Sequence, residues 1–396
     1  MSTSILPEHA NALSMFNHVQ STSLVFGNGS AARTGELAKE LGLSHMLLVT
    51  DAGLVKAGHA EVVGQSLRSA GLEVTLFDQV IENPTTDCVE KAKRAAAEAG
   101  VDSILGLGGG SSMDTAKGAN FLLTNGGRMQ DYWGVGKATK EMLPLIVVPT
   151  TAGTGSEYQS FALISDAETH QKMACGDPKA AAKIAILDPE LTLSQPLNVS
   201  ACTGIDAIAH AVETAVTNKK NELSWMFSKE AFGLLMPNFT TVLNSPDDLN
   251  ARGSMLLGAA MAGCAIEASM LGAAHSTANP LTAHFDIVHG QAVGMMLQHV
   301  VRFNAELEPC QKAYSELFDV GKLGQADNSR EDSERLAKRL ADLLVLADMP
   351  GTLRASGVDE TMLPTLAKEA AAQWTANFNP REASENEMES IYRSAL

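Results

Sequence analysis

Gly106-Leu107-Gly108-Gly109-Gly110-Ser111-Ser112-Met113-Asp114 follows a β-forming run at 104–107 and leads into a helix-forming run through Thr115, Ala116 and Lys117. Glycines at such a strand-to-helix turn let the main chain approach a pyrophosphate closely. The unpaired amides and positive dipole end of the following helix then form an anion site. Ser111 stands where the common dinucleotide fingerprint has its third glycine, so the pattern departs from that fingerprint. Taken alone, the turn is equally compatible with a tight loop that holds no ligand.

The sequence on either side supplies the context. Short β-rich runs at 46–50, 74–77, 104–107 and 145–148 alternate with helix candidates at 36–41, 60–70 and 87–99. The last candidate has Thr86 or Asp87 as its N-cap and Gly100 as its stop. Alternation of this kind predicts an α/β unit, a parallel sheet with helices on both faces. Asp51 ends an early strand, where a carboxylate either hydrogen-bonds ribose hydroxyls and repels a 2′-phosphate or serves as an ordinary turn or cap residue. A second loop, Pro149-Thr150-Thr151-Ala152-Gly153-Thr154-Gly155-Ser156-Glu157, places hydroxyls and glycines behind another strand. Two such loops at the carboxyl ends of strands in one sheet point to a nucleotide cleft. Past about residue 193 the runs at 201–216, 223–235, 251–274 and 333–346 are long and rich in Ala, Met, Leu and Glu, which predicts an all-α half. The expected division is therefore 1–193 for the dinucleotide-binding α/β domain and 194–396 for a helical domain, with a ligand cleft at the junction.

With 396 residues and 45% hydrophobic content, the chain is long enough to bury a large core without disulfide staples. Its 46 acidic against 29 basic residues, a net charge of −17, exclude a general binder of nucleic acid or anionic membranes. Cys88, Cys175, Cys202, Cys264 and Cys310 are scattered and odd in number, as expected of reduced thiols in a cytoplasmic protein. Glu8, His9, Asn11, Asn17, His18 and Gln20 interrupt the start of the chain where a signal peptide needs a basic start and an apolar run. Apolar stretches such as 143–148 read as buried strands, since a membrane helix needs about 20 residues.

In the second half, Asp206 and His210 are four apart on a predicted helix and share one face. Alone, such a pair is as readily a cap and a core histidine. His275 and His289 follow downstream, separated by Pro280 in what reads as a helix end, a loop and a new start before Gly290. One carboxylate with three imidazoles suits Fe(II), Zn(II), Mn(II) or Co(II) and suits calcium poorly. A divalent metal that polarises an alcohol or carbonyl oxygen, beside a nicotinamide that exchanges hydride at the adjacent carbon, joins the two halves in one chemistry.

These motifs together resemble the iron-containing (group III) alcohol dehydrogenases, a family that includes lactaldehyde reductase, over essentially the whole chain. The resemblance rests on five features: Gly108-Gly109-Gly110-Ser111 with Asp114 and Lys117; the 149–157 loop; Thr203-Gly204-x-Asp206-Ala207-x-x-His210-Ala211-x-Glu213; the step from His275 to His289-Gly290; and Asn379-Pro380-Arg381-Glu382-Ala383. It implies a dehydroquinate synthase-like architecture, with a metal, Fe(II) first and Zn(II) second, held by Asp206, His210, His275 and His289. It implies NAD(H) in contact with Asp51, Asn83, Pro84, Gly109, Gly110, Ser111, Asp114, Thr150, Thr151, Thr154 and Lys172. The last of these would otherwise pass as an exposed lysine. A small alcohol or aldehyde as partner and a homo-oligomer, commonly a dimer built around the N-terminal strands, are implied as well.

Many relatives carry a further histidine four residues after the third ligand, where this chain has Asn279, and a proline before the fourth, where it has Val288. An amide does not titrate, so a proton relay at that place is absent or replaced. His284, five residues on, is either its substitute or an ordinary loop histidine. By position, Phe161, Ile266 and Asn279 are expected in the substrate pocket. The competing expectations are a maleylacetate reductase, a hydroxyacid-oxoacid transhydrogenase, a glycerol dehydrogenase, or a relative that binds nucleotide and metal without turnover.

Overall fold

The computed structural model describes Phe16, Val19 and residues 21–327 and 330–396. The signal-peptide expectation, resting on Glu8, His9, Asn11, Asn17, His18 and Gln20, lies outside the described residues. The first half runs β1 (Ser23–Phe26), α1 (Thr34–Glu40), β2 (His45–Val49), α2 (Ala52–Lys56), α3 (His59–Ser69), β3 (Glu73–Phe77), α4 (Thr86–Ala99), β4 (Ser103–Gly108) and α5 (Gly110–Asn125). It continues through β5 (Gly134–Val135), β6 (Leu145–Pro149), β7 (Phe161–Ser165), β8 (Lys172–Gly176) and β9 (Ile184–Leu187). Six strands form a sheet in the order β1-β9-β6-β4-β2-β3, and its pairings are all parallel.

Side-chain alternation explains why this sheet is covered twice. Leu47, Val49, Ile104, Leu145, Val147 and Leu187 face one way, onto Cys88 and Ala92 of α4 and Met113 and Ala116 of α5. Met46, Leu48, Leu105, Leu107, Ile146 and Ile186 face the other, onto Leu37 of α1 and Val63 and Leu67 of α3. Strands buried on both faces read as continuous apolar runs, as these do. A small sheet, β5-β8-β7, packs Ile164, Met173 and Cys175 against Phe121 and Leu122 of α5.

The second half is helical: α6 (Leu197–Thr214), α7 (Glu222–Asn244), α8 (Leu249–Ser269), α9 (Ala273–Phe285), α10 (His289–Asn304), α11 (Glu308–Val320), α12 (Arg330–Leu346), α13 (Leu363–Ala371) and α14 (Glu385–Ser394). Ile208 of α6, Leu235 of α7, Leu256 of α8, Val293 of α10 and Leu340 of α12 share one core with the α4 and α5 face of the sheet. Among the described residues no single helix is long and apolar enough to cross a membrane. All five cysteines are free thiols.

Three local expectations change, and one of two readings of Asp51 is realised. The cap of α4 is Thr85, whose hydroxyl accepts from the Cys88 amide, and not Thr86 or Asp87. The run 251–274 is two helices bent by 107°, broken where Met270 takes φ +99°. The break leaves the first amides of α9 without helical partners, and acceptors from elsewhere meet them: Glu213 Oε1 takes the Ala274 N–H at 2.7 Å and Asn379 Oδ1 takes that of Ala273 at 3.3 Å. Pro280 lies inside α9, which ends only at Phe285, before Asp286 at φ +53°. The short helix α2 follows Asp51, whose Oδ1 accepts from Gly53 and Leu54 amides at 2.8 and 3.0 Å; here the cap reading of Asp51 holds.

The halves are joined by backbone contact. At Gly155, φ +63°, the loop after β6 meets Gly263 of α8 so closely that a Cβ on Gly263 would sit 2.4 Å from the Gly155 carbonyl oxygen. Gly263→Ala is therefore expected to destabilise the protein by about 1–3 kcal/mol, the usual cost of overpacking. Thermal unfolding checks it, with Gly351→Ala as a control that meets nothing within 4 Å and leaves the midpoint unchanged.

Candidate active site

Three helices bring four side chains to one point. Asp206 and His210 lie one turn apart on α6, His275 is in the first turn of α9, and His289 is the first residue of α10. The Nε2 atoms of His275, His210 and His289 lie 3.3, 3.5 and 3.7 Å from Asp206 Oδ1. Donors bonded at about 2.1 Å to a tetrahedral ion are separated by about 3.4 Å, so the spacing fits a divalent metal. The rings of His210 and His275 stack at 4.9 Å between centroids.

Electrostatics agree with a donor set. Burial works against the charge on Asp206, yet His210, His275 and His289 hold its carboxyl well below the usual carboxylate range. Burial also pushes His289 down to about 3 and lowers His210, leaving lone pairs free on both. His275 differs: burial alone would lower it, but Glu213 and Asp206 raise it to about 9. Glu213 contacts His275 Nδ1 directly, which turns Nε2 toward Asp206. The sequence carried a signal for Glu213, since Asp206, His210 and Glu213 are spaced i, i+4, i+7 on one helical face; its role went unread.

The same cleft, about 1230 Å³, runs from these helices to the carboxyl edge of the sheet. That exceeds the volume of an ordinary small-ligand pocket and suits a dinucleotide with a second reactant. The expected cofactor residues, Asp51, Asn83, Pro84, Gly109, Gly110, Ser111, Asp114, Thr150, Thr151, Thr154 and Lys172, all line it. Gly109 caps α5 without a side chain. A Cβ on Gly110 would stand 2.8 Å from Thr154 and one on Gly109 3.4 Å from Thr151, so the two loops close on each other only because those positions are bare. Lys172 opens β8 and is solvent-accessible in the cleft, whose walls partly desolvate the ammonium and lower its pKa against the pull of Asp114 and Asp206.

Of the expected substrate-pocket residues, Phe161 and Ile266 line the cleft and Asn279 does not. The Asn279 amide donates instead to Gln373 Oε1 at 3.1 Å. His284 pairs with Glu369 at 2.8 Å, also away from the cleft wall, so it does not stand in for a histidine at 279. Phe161 stacks on Trp374 at 5.6 Å. Sequence reasoning did not single out Leu271, Ile287 or Thr282 of the same wall, and the Thr282 hydroxyl is buried without a partner.

Comparison with known proteins follows the same two halves. The family described as "Iron-containing alcohol dehydrogenase" matches residues 21–189, and "Fe-containing alcohol dehydrogenase family, C-terminal" matches 200–396. The chain is 36% identical over 380 residues to "Choline dehydrogenase" of Bacillus subtilis, covering 94% of this chain and 93% of the relative. It is 31% identical over 373 residues to "NAD-dependent methanol dehydrogenase" of Bacillus methanolicus, covering 94% and 97%. A solved structure of "1,3-propanediol oxidoreductase" superposes with a TM-score of 0.92 at 30% identity, covering 97% of this chain and 100% of the other. Matched from sheet to metal helices, the chain belongs to the iron-containing alcohol dehydrogenase family and is an oxidoreductase of that type.

Proposed function

We propose that the chain interconverts a small primary alcohol or diol and its aldehyde with NAD(H), using one divalent metal, Fe(II) before Zn(II), on Asp206, His210, His275 and His289. One observation carries this reading: a cluster of Asp206, His210 and His275 with ligand atoms within 4.8 Å of one another, His289 standing 3.7 Å from Asp206 beside it, opens into one cleft with a glycine turn at a helix N-terminus. When bound, the metal supplies Lewis-acid polarisation of the reacting oxygen and the nicotinamide supplies or accepts hydride. Glu213 fixes the His275 ring, the Gly109–Ser111 amides at the start of α5 bind pyrophosphate, and Phe161, Ile266 and Leu271 keep water from the reacting carbon.

In this reading residues 1–193 bind the cofactor and 194–396 bind the metal, and the five free thiols support a reducing cytoplasm as the location. Among the described residues strand β1 is a sheet edge with Leu24 and Phe26 exposed, which supports a homodimer through that edge.

Appearance of NADH absorbance when metal-loaded protein meets short alcohols and diols tests the activity, and no turnover across such a panel, with metal and NADH both bound, would sink it. Asp206→Ala and His275→Ala are expected to lose metal and turnover while still binding NADH, measured by elemental mass spectrometry and NADH fluorescence. Glu213→Gln should weaken metal affinity about 10–100-fold, the usual effect of losing the group that orients a ligand, as competition with a chelator will show. Asn279→Ala is expected to leave kcat/KM within about threefold, because its amide points to Gln373; a larger loss in steady-state kinetics would return it to the site.

A further inference from the structure

The Lys117 side chain is fully buried beneath the cofactor loops. Its Nζ donates to the main-chain oxygens of Ser156, Gln159 and Phe161 at 2.6, 2.7 and 3.0 Å and lies 2.8 Å from Ser156 Oγ. Ser156 Oγ in turn lies 2.7 Å from Asp114 Oδ1, and both residues line the cleft, so a double variant of the two decides whether Ser156 acts through Asp114 or directly. An ammonium has donors only and cannot accept, so the single hydroxyl proton of Ser156 has one destination, the Asp114 carboxylate. Ser156 therefore donates to Asp114, while the three N–H groups of Lys117 are shared among its three carbonyls and the Ser156 oxygen. Asp114 is left an acceptor, and a ribose or carboxamide N–H or O–H of the cofactor is the donor chemistry that matches.

The same ammonium holds the loop geometry. Its three carbonyl partners span 156–161, between the hydroxyls of Thr150, Thr151 and Thr154 and the cleft wall at Phe161. Gln159 Nε2 closes the loop on the Thr154 carbonyl at 2.8 Å, and Glu267 of α8 accepts from the Ser160 amide and hydroxyl at 3.0 and 2.5 Å. A buried charge with this many oxygen partners tolerates no slack, because each partner left unpaired costs its full desolvation.

We propose that Lys117 and Ser156 are positioning residues for the cofactor, acting through Asp114 by a hydrogen-bond chain of fixed direction. This rests on the reading that Asp114 contacts NAD(H). NADH fluorescence titration of the metal-loaded enzyme tests it on Ser156→Ala, Asp114→Asn and the double variant. Ser156→Ala leaves the three carbonyl partners of Lys117 in place, so it is the variant that folds even if Lys117→Met does not. Ser156→Ala is expected to weaken NADH binding about tenfold, the effect of removing a hydrogen bond to a charged group, and to raise KM for NAD without raising KM for the alcohol. Metal content should stay at the wild-type value, with a modest fall in thermal midpoint for the lost buried hydrogen bonds. The double variant should bind NADH no more weakly than Asp114→Asn alone, since Ser156 acts only through that carboxylate. Wild-type NADH affinity in Ser156→Ala, or additive losses in the double variant, overturns the chain of donation. Wild-type affinity in Asp114→Asn overturns the cofactor role of Asp114 itself, and the chain with it.

Discussion

A carboxylate withdrawn from water is the constraint on which the helical half depends. Removing Asp206 from solvent costs several kcal/mol unless charges or dipoles replace its hydration. Here the replacement is three imidazoles, and they come from three different helices. The meeting of α6, α9 and α10 is thus an electrostatic requirement as much as a packing one. Two costly features serve it. The chain bends by 107° between α8 and α9, and α10 crosses α6 so closely that a Cβ on Gly290 would stand 2.1 Å from the Cys202 carbonyl oxygen. Glu213 ties the two together by accepting from the Ala274 amide of α9 with one oxygen and holding the His275 ring with the other.

The two sides of the cleft have opposite electrical character. The sheet side ends in the amides and positive dipole end of α5, a seat for phosphate charge. The helical side presents Asp206 among its imidazoles, a seat for a cation. Lys172 stands between Asp114 and Asp206 and feels both. Gly153 against Thr203 and Gly155 against Gly263 bring the cofactor loop onto α6 and α8 with nothing between them. Phosphate seat and cation seat are therefore held at one spacing by backbone, the stiffest part of either half.

Much of this was legible in the sequence because it is periodic or local. Strands buried on both faces write themselves as apolar runs, and the glycines at 108–110 mark a strand-to-helix turn. Asp206 and His210 reveal their common face by a spacing of four. What escaped depends on tertiary partners. A run as uniform as 251–274 gives no local sign of a break, because the break is stabilised by Glu213 and Asn379, which lie far from it in sequence. Pro280 looks like a helix end, yet packing carries α9 past it. Lys172 was visible only through the resemblance, since nothing local distinguishes a lysine facing a cleft from one facing bulk water. Asn279 was misplaced for the opposite reason: its position in the motif pointed to the pocket, whereas its hydrogen bond to Gln373 draws the amide off the wall.

That displacement has a chemical consequence. Oxidising an alcohol releases a proton as well as a hydride, and a side chain that neither gains nor loses protons near neutral pH cannot carry it. At 279 this chain has an amide turned away from the cleft, and at 284 an imidazole held outside it by Glu369. The titratable imidazoles that remain in the cleft are the metal-ligand candidates, whose lone pairs are committed. Hydroxyl groups, which both donate and accept, and the carboxylates of the cleft are what remain. Thr282 is a group of the first kind in the cleft wall, two helical turns along α9 from His275, with its hydroxyl buried and unpartnered. Asp114 and Asp286 are of the second kind, so a wall without a histidine at 279 still offers groups able to take a proton.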